Sequence, residues 1–395
     1  MTTLQPSEAT PVVTRPAEQE SVLSAALRQP LTLGLFLPIH KGGWTISAAP
    51  RGTDWQFPYN LALTQCAEAL GFDLVFALAQ WLPKGGMGGR IAYRDNSLDS
   101  FMTAAALTAA TKRIMLISTV HVLYGIHPLF LARFGATLDH ISEGRWGVNI
   151  VTGSRPEERT MFGLDAIQHD LRYEMIHEYA DILTRLWGEN ENLTYNGRFW
   201  RTDGAYVVPR PKHARPIIVN AGNSPPSLKF AARYSDFVFV TSPGGAEFGA
   251  AIESLPSLTT QIRTVAKEAG RTVRSIINPM IVCRETEAEA WKVYNDIVEQ
   301  GDDEATRVMM AHRDSQSWLK HTHTQRVVGG NVHIVGSPEH VAESIGELKR
   351  AGCDGVQLSF FDFAPDLKFF GERVLPLLYD AGLRLRPVPD QGPGR

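Results

Sequence analysis

Hydrophobic and polar positions follow two periods in turn, almost without a break from Leu31 to Leu378. Short apolar runs rich in β-branched residues read as buried strands. Stretches with an apolar residue every three or four positions read as amphipathic helices. Strands are expected at 31–37, 72–79, 113–120, 146–151, 216–221, 236–241, 275–284 and 355–360. Helices are expected at 59–70, 99–110, 128–141, 172–187, 226–234, 247–269, from 287 to about 300, and at 365–378. Gly71 stands where the first helix needs a left-handed cap, and Pro128 opens another at a tolerated first-turn position. Eight strand–helix pairs in alternation predict the α/β class and a (β/α)8 TIM barrel rather than an open sheet. An open doubly wound sheet would more often carry an early glycine-rich phosphate fingerprint. Here the first strand runs instead into Pro38-Ile-His-Lys-Gly-Gly43.

Three connections are too long for plain turns. Residues 80–98 contain Lys84-Gly-Gly-Met-Gly-Gly89, and residues 190–215 contain Asn196-Gly197 among alternating aromatics, a hairpin signal. Residues 302–343 lie before the last strand and read as a lid-like insertion. The first 28 residues are rich in Ser, Thr, Pro, Glu and Gln and read as a disordered tail without the pattern of a secretory signal. The expected organisation is that tail, one barrel domain over 29–385, and a flexible C-terminal tail over 386–395.

Composition narrows the function classes. Of 395 residues, 44% are hydrophobic and 21% charged, and the net charge of −3 argues against a general nucleic-acid binder. No apolar run is long enough to predict a membrane span. Cys66, Cys283 and Cys353 match no metal spacing and read as buried thiols, which fits a cytoplasmic protein. His321 and His323 have no third ligand at a suitable spacing, so no metal is expected.

The candidate chemistry gathers where strands end. Arg145-Trp-Gly-Val-Asn-Ile-Val-Thr-Gly153 is a buried strand that finishes on Asn149 and Thr152, followed by Glu157 and Glu158. In a barrel this edge faces the site; an ordinary strand end with a solvated acidic pair is the alternative. Asn220-Ala-Gly-Asn-Ser224 leads into a helix whose start suits a phosphate, or is simply a capped turn. Arg172-Tyr173 opens the long helix and suits a phosphate equally, or is a surface arginine beside a packing tyrosine. Thr119 and His121 end the third strand, and His40-Lys41 follow the first. No Ser–His–Asp signature, Walker loop or dinucleotide fingerprint stands out.

Taken in order and spacing, these segments resemble the bacterial luciferase-like, flavin-dependent monooxygenases of the two-component type. The pyrimidine and dimethylsulfone branches look nearest. The resemblance rests on Leu35-Phe-Leu-Pro-Ile-His-Lys-Gly-Gly-Trp44, the 145–153 segment, His169-Asp-Leu-Arg-Tyr173, Asn220-Ala-Gly-Asn-Ser224 with Ala231-Ala-Arg-Tyr-Ser-Asp236, and Phe370-Gly-Glu-Arg-Val-Leu-Pro376. It implies reduced FMN (FMNH2), delivered by a separate NAD(P)H-dependent flavin reductase. It also implies O2 as co-substrate, reacting through a flavin peroxide, and a small-molecule substrate. The implied products are an opened N-heterocycle or a cleaved C–S bond of a sulfone or sulfonate.

At the family's cofactor positions stand Ala79, Gln80, Asn149, Glu158, Arg172, Tyr173 and Ser224. Of these, Arg172, Tyr173 and Ser224 would hold the phosphate. Asn149 would face the flavin ring, and Thr119 would line the oxygen pocket. The family forms dimers or tetramers, so a homo-oligomer is expected. Ser154 departs from the pattern, because both near branches usually place a tryptophan there. A deazaflavin-dependent dehydrogenase on the same barrel and a non-catalytic flavin-binding protein are the competing readings.

Overall fold

Eight parallel strands close on themselves in the computed structural model, which describes residues 21–153, 155–311 and 320–386. In chain order the strands are β1 (Thr32–Phe36), β2 (Leu74–Phe76), β3 (Met115–His121), β4 (Trp146–Val151), β5 (Leu193–Asn196) and β6 (Arg201–Ala205). They continue as β7 (Ile217–Ala221), β8 (Phe237–Val240), β9 (Arg274–Ile277), β10 (Pro279–Cys283), β11 (Val332–Gly336) and β12 (Gly355–Phe360). The barrel order is β1-β2-β3-β4-β7-β8-β9-β12, and β12 pairs back onto β1 through Thr32↔Gly355 to Leu35↔Leu358. The (β/α)8 architecture expected from the periodicity is therefore present. β5 and β6 form the antiparallel hairpin that Asn196-Gly197 announces.

Period two decides what fills the barrel. Leu74 and Phe76, Met115 and Ile117, Ile217 and Val219, and Phe237 and Ile276 meet in one apolar cluster. Gly147 keeps that space open, since a Cβ there would come within 2.7 Å of Ile117 and 2.8 Å of Ile217. The opposite face of each strand packs against the helical ring. Its main members are α2 (Phe57–Ala69), α3 (Ser100–Thr108), α4 (Pro128–Ile141), α6 (His169–Gly188), α7 (Pro225–Tyr234) and α8 (Phe248–Glu268).

The N-terminal rim is built by a repeated device. Asp73, Asp236 and Asp354 each stand one residue before a strand. Each carboxylate accepts a neighbouring strand's N–H, from Leu33 at 2.8 Å, Ile218 at 2.9 Å and Ser275 at 3.1 Å. Arg384 adds a buried pair to Asp73, and Arg215 a bidentate one to Asp236.

Four expectations need correction. The predicted tail over 1–28 is helical at Val22–Arg28 (α1): Ser21 and Ser24 form a reciprocal capping box, and Leu23 and Ala26 bury in the barrel cluster. Residues 1–20 and 387–395, the rest of the two predicted tails, lie outside the described residues. The strand expected over 275–284 breaks at Asn278, where Pro279 removes a ladder donor and the Asn278 amide donates to Ser359 Oγ at 2.9 Å.

The described residues of the insertion at 302–343 are largely regular. They hold α10 (Asp303–Ala311), α11 (His323–Val328), β11 and the start of α12 (Pro338–Arg350). Of the three thiols read as buried, Cys283 and Cys353 are, whereas Cys66 is half-buried.

No helix among the described residues is long and apolar enough to cross a membrane.

Candidate active site

The C-terminal ends of the strands receive side chains from the same face that fills the barrel. Thr119 lies two residues above Ile117, and Asn149 two above Gly147, and the two are paired in register. They cap the apolar lumen together. The Asn149 amide donates to Thr119 Oγ1 at 3.3 Å, and Thr119 Oγ1 donates to the Ala77 carbonyl at 3.0 Å. Asn149 is 1% exposed, and its Oδ1 has no hydrogen-bond partner. A buried amide oxygen left unpaired costs about 1–3 kcal/mol, so this one is poised to accept from a ligand.

Aromatic rings pave the floor beside this pair. Phe76 contacts Phe36 and Phe239 edge-on at 4.8 and 4.7 Å, and Trp44 meets Phe36 at 3.7 Å. Ala79 and Gln80 follow β2 and border a cavity of about 310 Å³, with Arg94 and Leu98 among its other walls. Gln80 Oε1 accepts from the Arg94 guanidinium at 2.6 Å, while its Nε2 is buried without a partner.

Glu158 sits on the short helix α5 (Pro156–Met161) and is 1% exposed. Its carboxylate accepts the Trp81 N–H at 3.1 Å and the Tyr124 hydroxyl, and lies 3.5 Å from His121 Nδ1. Burial works to raise this carboxyl. The approach of His121 and the hydrogen bonds from Tyr124 and the Trp81 N–H outweigh it and hold the group below its ordinary range. Burial, then the adjacent Glu158 charge, pushes the Tyr124 phenol up, so it donates and stays neutral. Glu158 thus ties the loops after β2, β3 and β4 together.

A second cluster lies across the mouth. Ser224 caps α7, and its hydroxyl donates to Tyr173 Oη at 3.2 Å. Gly222 has φ +147°, and a Cβ there would reach within 2.7 Å of Ser227 Oγ, so the backbone stays open toward these hydroxyls. Pro225 and Pro226 fill the first two helix positions and carry no N–H. The helix start therefore offers fewer backbone donors than the sequence suggests, and hydroxyls take their place. Arg172 is 8% exposed, with its guanidinium 3.5 Å from the Gly153 carbonyl.

The structure thus brings together Thr119 with Asn149, and Tyr173 with Ser224. Gln80, Glu158 and Arg172 reach other groups. Sequence reasoning missed Arg94, Trp81 and Tyr124; only Tyr124 left a signal, as a phenol three residues past His121. His40, 0% exposed, holds Ser97 Oγ at 2.7 Å. Burial first, then Arg94 and Arg155, keep it well below its usual pKa and hence neutral. His321 is buried and His323 stands 3.5 Å from Asp303 at the surface; no metal-holding cluster occurs among the described residues. Ser154 lies outside the described residues.

Part of the 302–343 insertion covers this mouth. Ala305 and Met309 of α10 pack with Ile46, Met87 and Tyr93, and Asp302 accepts the Ile91 N–H at 3.0 Å. The glycine-rich loop after β2 and the loop after β1 are the surfaces it lies on.

Known proteins resemble this chain over most of its length. The luciferase-like monooxygenase family matches residues 31–355. The FMNH2-dependent dimethylsulfone monooxygenase of Pseudomonas fluorescens (strain Pf0-1) is 32% identical over 89% of this chain and 95% of its own. The pyrimidine monooxygenase RutA of Allorhizobium ampelinum is 30% identical over 88% and 95%. The crystal structure of DmoA from Hyphomicrobium sulfonivorans superposes with a TM-score of 0.78 at 21% identity, covering 93% of this chain and 91% of that one, a likeness of fold.

Proposed function

The chain belongs to the luciferase-like monooxygenase family, and from that membership we propose that it is an FMNH2-dependent enzyme that inserts one oxygen of O2 into a small organic compound. The carrying observation is the likeness, over nearly nine-tenths of the chain, to a relative whose name specifies FMNH2. A separate flavin reductase supplies the reduced cofactor. The two substrate types are an N-heterocycle that opens and a sulfone or sulfonate whose C–S bond breaks.

The residues present fit the cofactor. Asn149 Oδ1 and Gln80 Nε2 are unpaired buried polar atoms beside an aromatic floor, as a flat heteroaromatic ring with polar edges requires. Arg172, Tyr173 and Ser224 supply a guanidinium and two hydroxyls for a phosphate. When bound, the reduced flavin supplies the electrons that activate O2.

The protein's own work is positional. Asn149 orients the ring, and Thr119 presents its hydroxyl next to it. Glu158 locks three loops of the mouth. α10 and the glycine-rich loop keep water out, which favours product over hydrogen peroxide.

Oxygen uptake by the purified protein with chemically reduced FMN, against uracil, dimethylsulfone and alkanesulfonates, tests the reading. Uptake coupled to product supports it. O2-independent hydride transfer to a deazaflavin would replace it, and retention of flavin without substrate-dependent uptake would mark a binding protein.

Two substitutions separate the roles of the central pair. Asn149→Ala is expected to leave FMN affinity within a few-fold while product per O2 falls about tenfold, the scale of one lost hydrogen bond. Unchanged coupling would make Asn149 structural. Thr119→Val removes the hydroxyl that Asn149 donates to; a normal product yield would retire its part in oxygen activation.

A further inference from the structure

We propose that Arg94 forms an oxyanion-binding subsite at the barrel mouth, so that the substrate carries a carboxylate or sulfonate; the substrate assignment rests on the monooxygenase reading above. Three other buried arginines, Arg145, Arg215 and Arg384, set the comparison. Arg145 is 3% exposed and makes four hydrogen bonds, to Thr111 Oγ1 and to the carbonyls of Ile114, Thr108 and Thr111. Arg215, 1% exposed, holds Asp236 through two bonds of 2.8 Å. Arg384 holds Asp73 and two carbonyls. Burial of these three guanidinium groups is offset by several acceptors each, as the cost of desolvating a charge demands.

Arg94 breaks that pattern. It is as buried as Arg145, yet its side chain makes a single hydrogen bond, to Gln80 Oε1. No carboxylate lies within ion-pair distance of it among the described residues. Its guanidinium instead lies 4.6 Å from the Trp44 ring centroid and 5.1 Å from that of Tyr93. Stacking fixes the plane and leaves donor edges over, which is the arrangement that recognises a carboxylate or sulfonate through paired N–H bonds.

The surroundings point the same way. Arg94 forms part of the wall of the 310 Å³ cavity next to Ala79 and Gln80. The two acids on that wall are exposed and engaged: Asp95 accepts the Gly85 N–H, and Asp99 caps α3. Burial first, then the charges of Arg94 and Arg155, hold the neighbouring His40 well below its usual pKa, so it brings no positive charge of its own. Glu158, a buried acid of the same mouth, is already committed to Trp81, Tyr124 and His121. A bound oxyanion would supply the missing counter-charge.

Two pairs of probes differ mainly by an oxyanion: methanesulfonate against dimethylsulfone, and orotate against uracil. Calorimetric titration of each into the FMN-loaded protein should show the anion binding about tenfold or more tightly in at least one pair. The pair that responds tells sulfonate from carboxylate. In Arg94→Met the preference should fall to about unity with FMN affinity unchanged, and Arg94→Lys, which keeps the charge without the fork, should retain only part of it. Equal binding of anion and neutral probe, no binding of any probe, or a preference that survives Arg94→Met overturns the subsite. Loss of FMN binding in Arg94→Met while the fold persists reassigns the residue to the cofactor and also overturns it. Failure of the unmodified protein to bind FMN would sink the flavin reading instead, and the same titrations on the flavin-free protein would still decide the subsite.

Discussion

Asp236→Ala is expected to destabilise the protein by about 3–5 kcal/mol, the cost of removing one partner of a buried ion pair. Asp236 receives both guanidinium bonds of Arg215 and the Ile218 N–H, and Arg271 stands 3.8 Å away. Arg215 is almost wholly buried, and burial already pulls Arg271 down to about 10, with the Arg215 charge adding to it and Asp236 opposing. Alanine leaves these two cations facing one another without a counter-ion and a strand N–H without its acceptor. Urea denaturation followed by fluorescence should show the midpoint fall with little change in slope. Replacing both members of the pair, Arg215→Met with Asp236→Leu, should recover much of the loss, because the penalty comes from the stranded charge. A single-variant loss below about 1 kcal/mol would mean that water reaches the rim and screens it. The pair lies at the N-terminal rim, across the barrel from the mouth, so flavin affinity of the still-folded variant should be unchanged.

The rim also shows what one sequence can and cannot reveal. Gly71-Phe-Asp73, Tyr234-Ser-Asp236 and Gly352-Cys-Asp354 each place an acid just before a predicted strand, but the acceptor role appears only once the neighbouring strand is in register. Thr119 and Asn149 were legible because strand period two carries the lumen face upward from Ile117 and Gly147. Ser224 was legible as a cap, and its neighbour Tyr173 as a helix-start phenol. Their meeting at 3.2 Å depends on how α6 packs on α7.

Other features left no such trace. α1 is a single short apolar run at the end of a polar stretch, and nothing local says that Leu23 and Ala26 bury in the barrel cluster. β11 escaped because eight strands already completed a barrel; it extends the sheet through β10 instead. Arg94 lies in a glycine-rich loop with a left-handed backbone, φ 60°, and its burial comes from Trp44, Tyr93 and the loops around them. Periodicity has nothing to say about such a residue. The site therefore divides in physical terms: residues on strands and helix starts follow from pattern, and residues on loops follow from tertiary contacts.

Arg172→Ala bears most directly on the cofactor, and we expect it to weaken binding of reduced FMN by about 1.5–3 kcal/mol, the scale of a charge-assisted hydrogen bond. That corresponds to a Kd about 10–150-fold higher. Arg172 is in the first turns of α6, mostly buried, next to Tyr173, whose hydroxyl meets Ser224. Because Pro225 and Pro226 remove two backbone donors from the start of α7, a dianionic phosphate depends the more on this guanidinium. Anaerobic titration of the reduced cofactor gives the affinity, and reduced riboflavin, which lacks the phosphate, gives the control. The unmodified protein should prefer FMN, and in Arg172→Ala that preference should collapse while riboflavin binds as before. Arg172→Lys should fall between, since an ammonium keeps the charge and loses the paired geometry. An FMN preference untouched by either substitution would move the phosphate away from α6. An equal loss for both flavins would mean that Arg172 acts by holding the Gly153 carbonyl and shaping the loop, with no phosphate contact of its own.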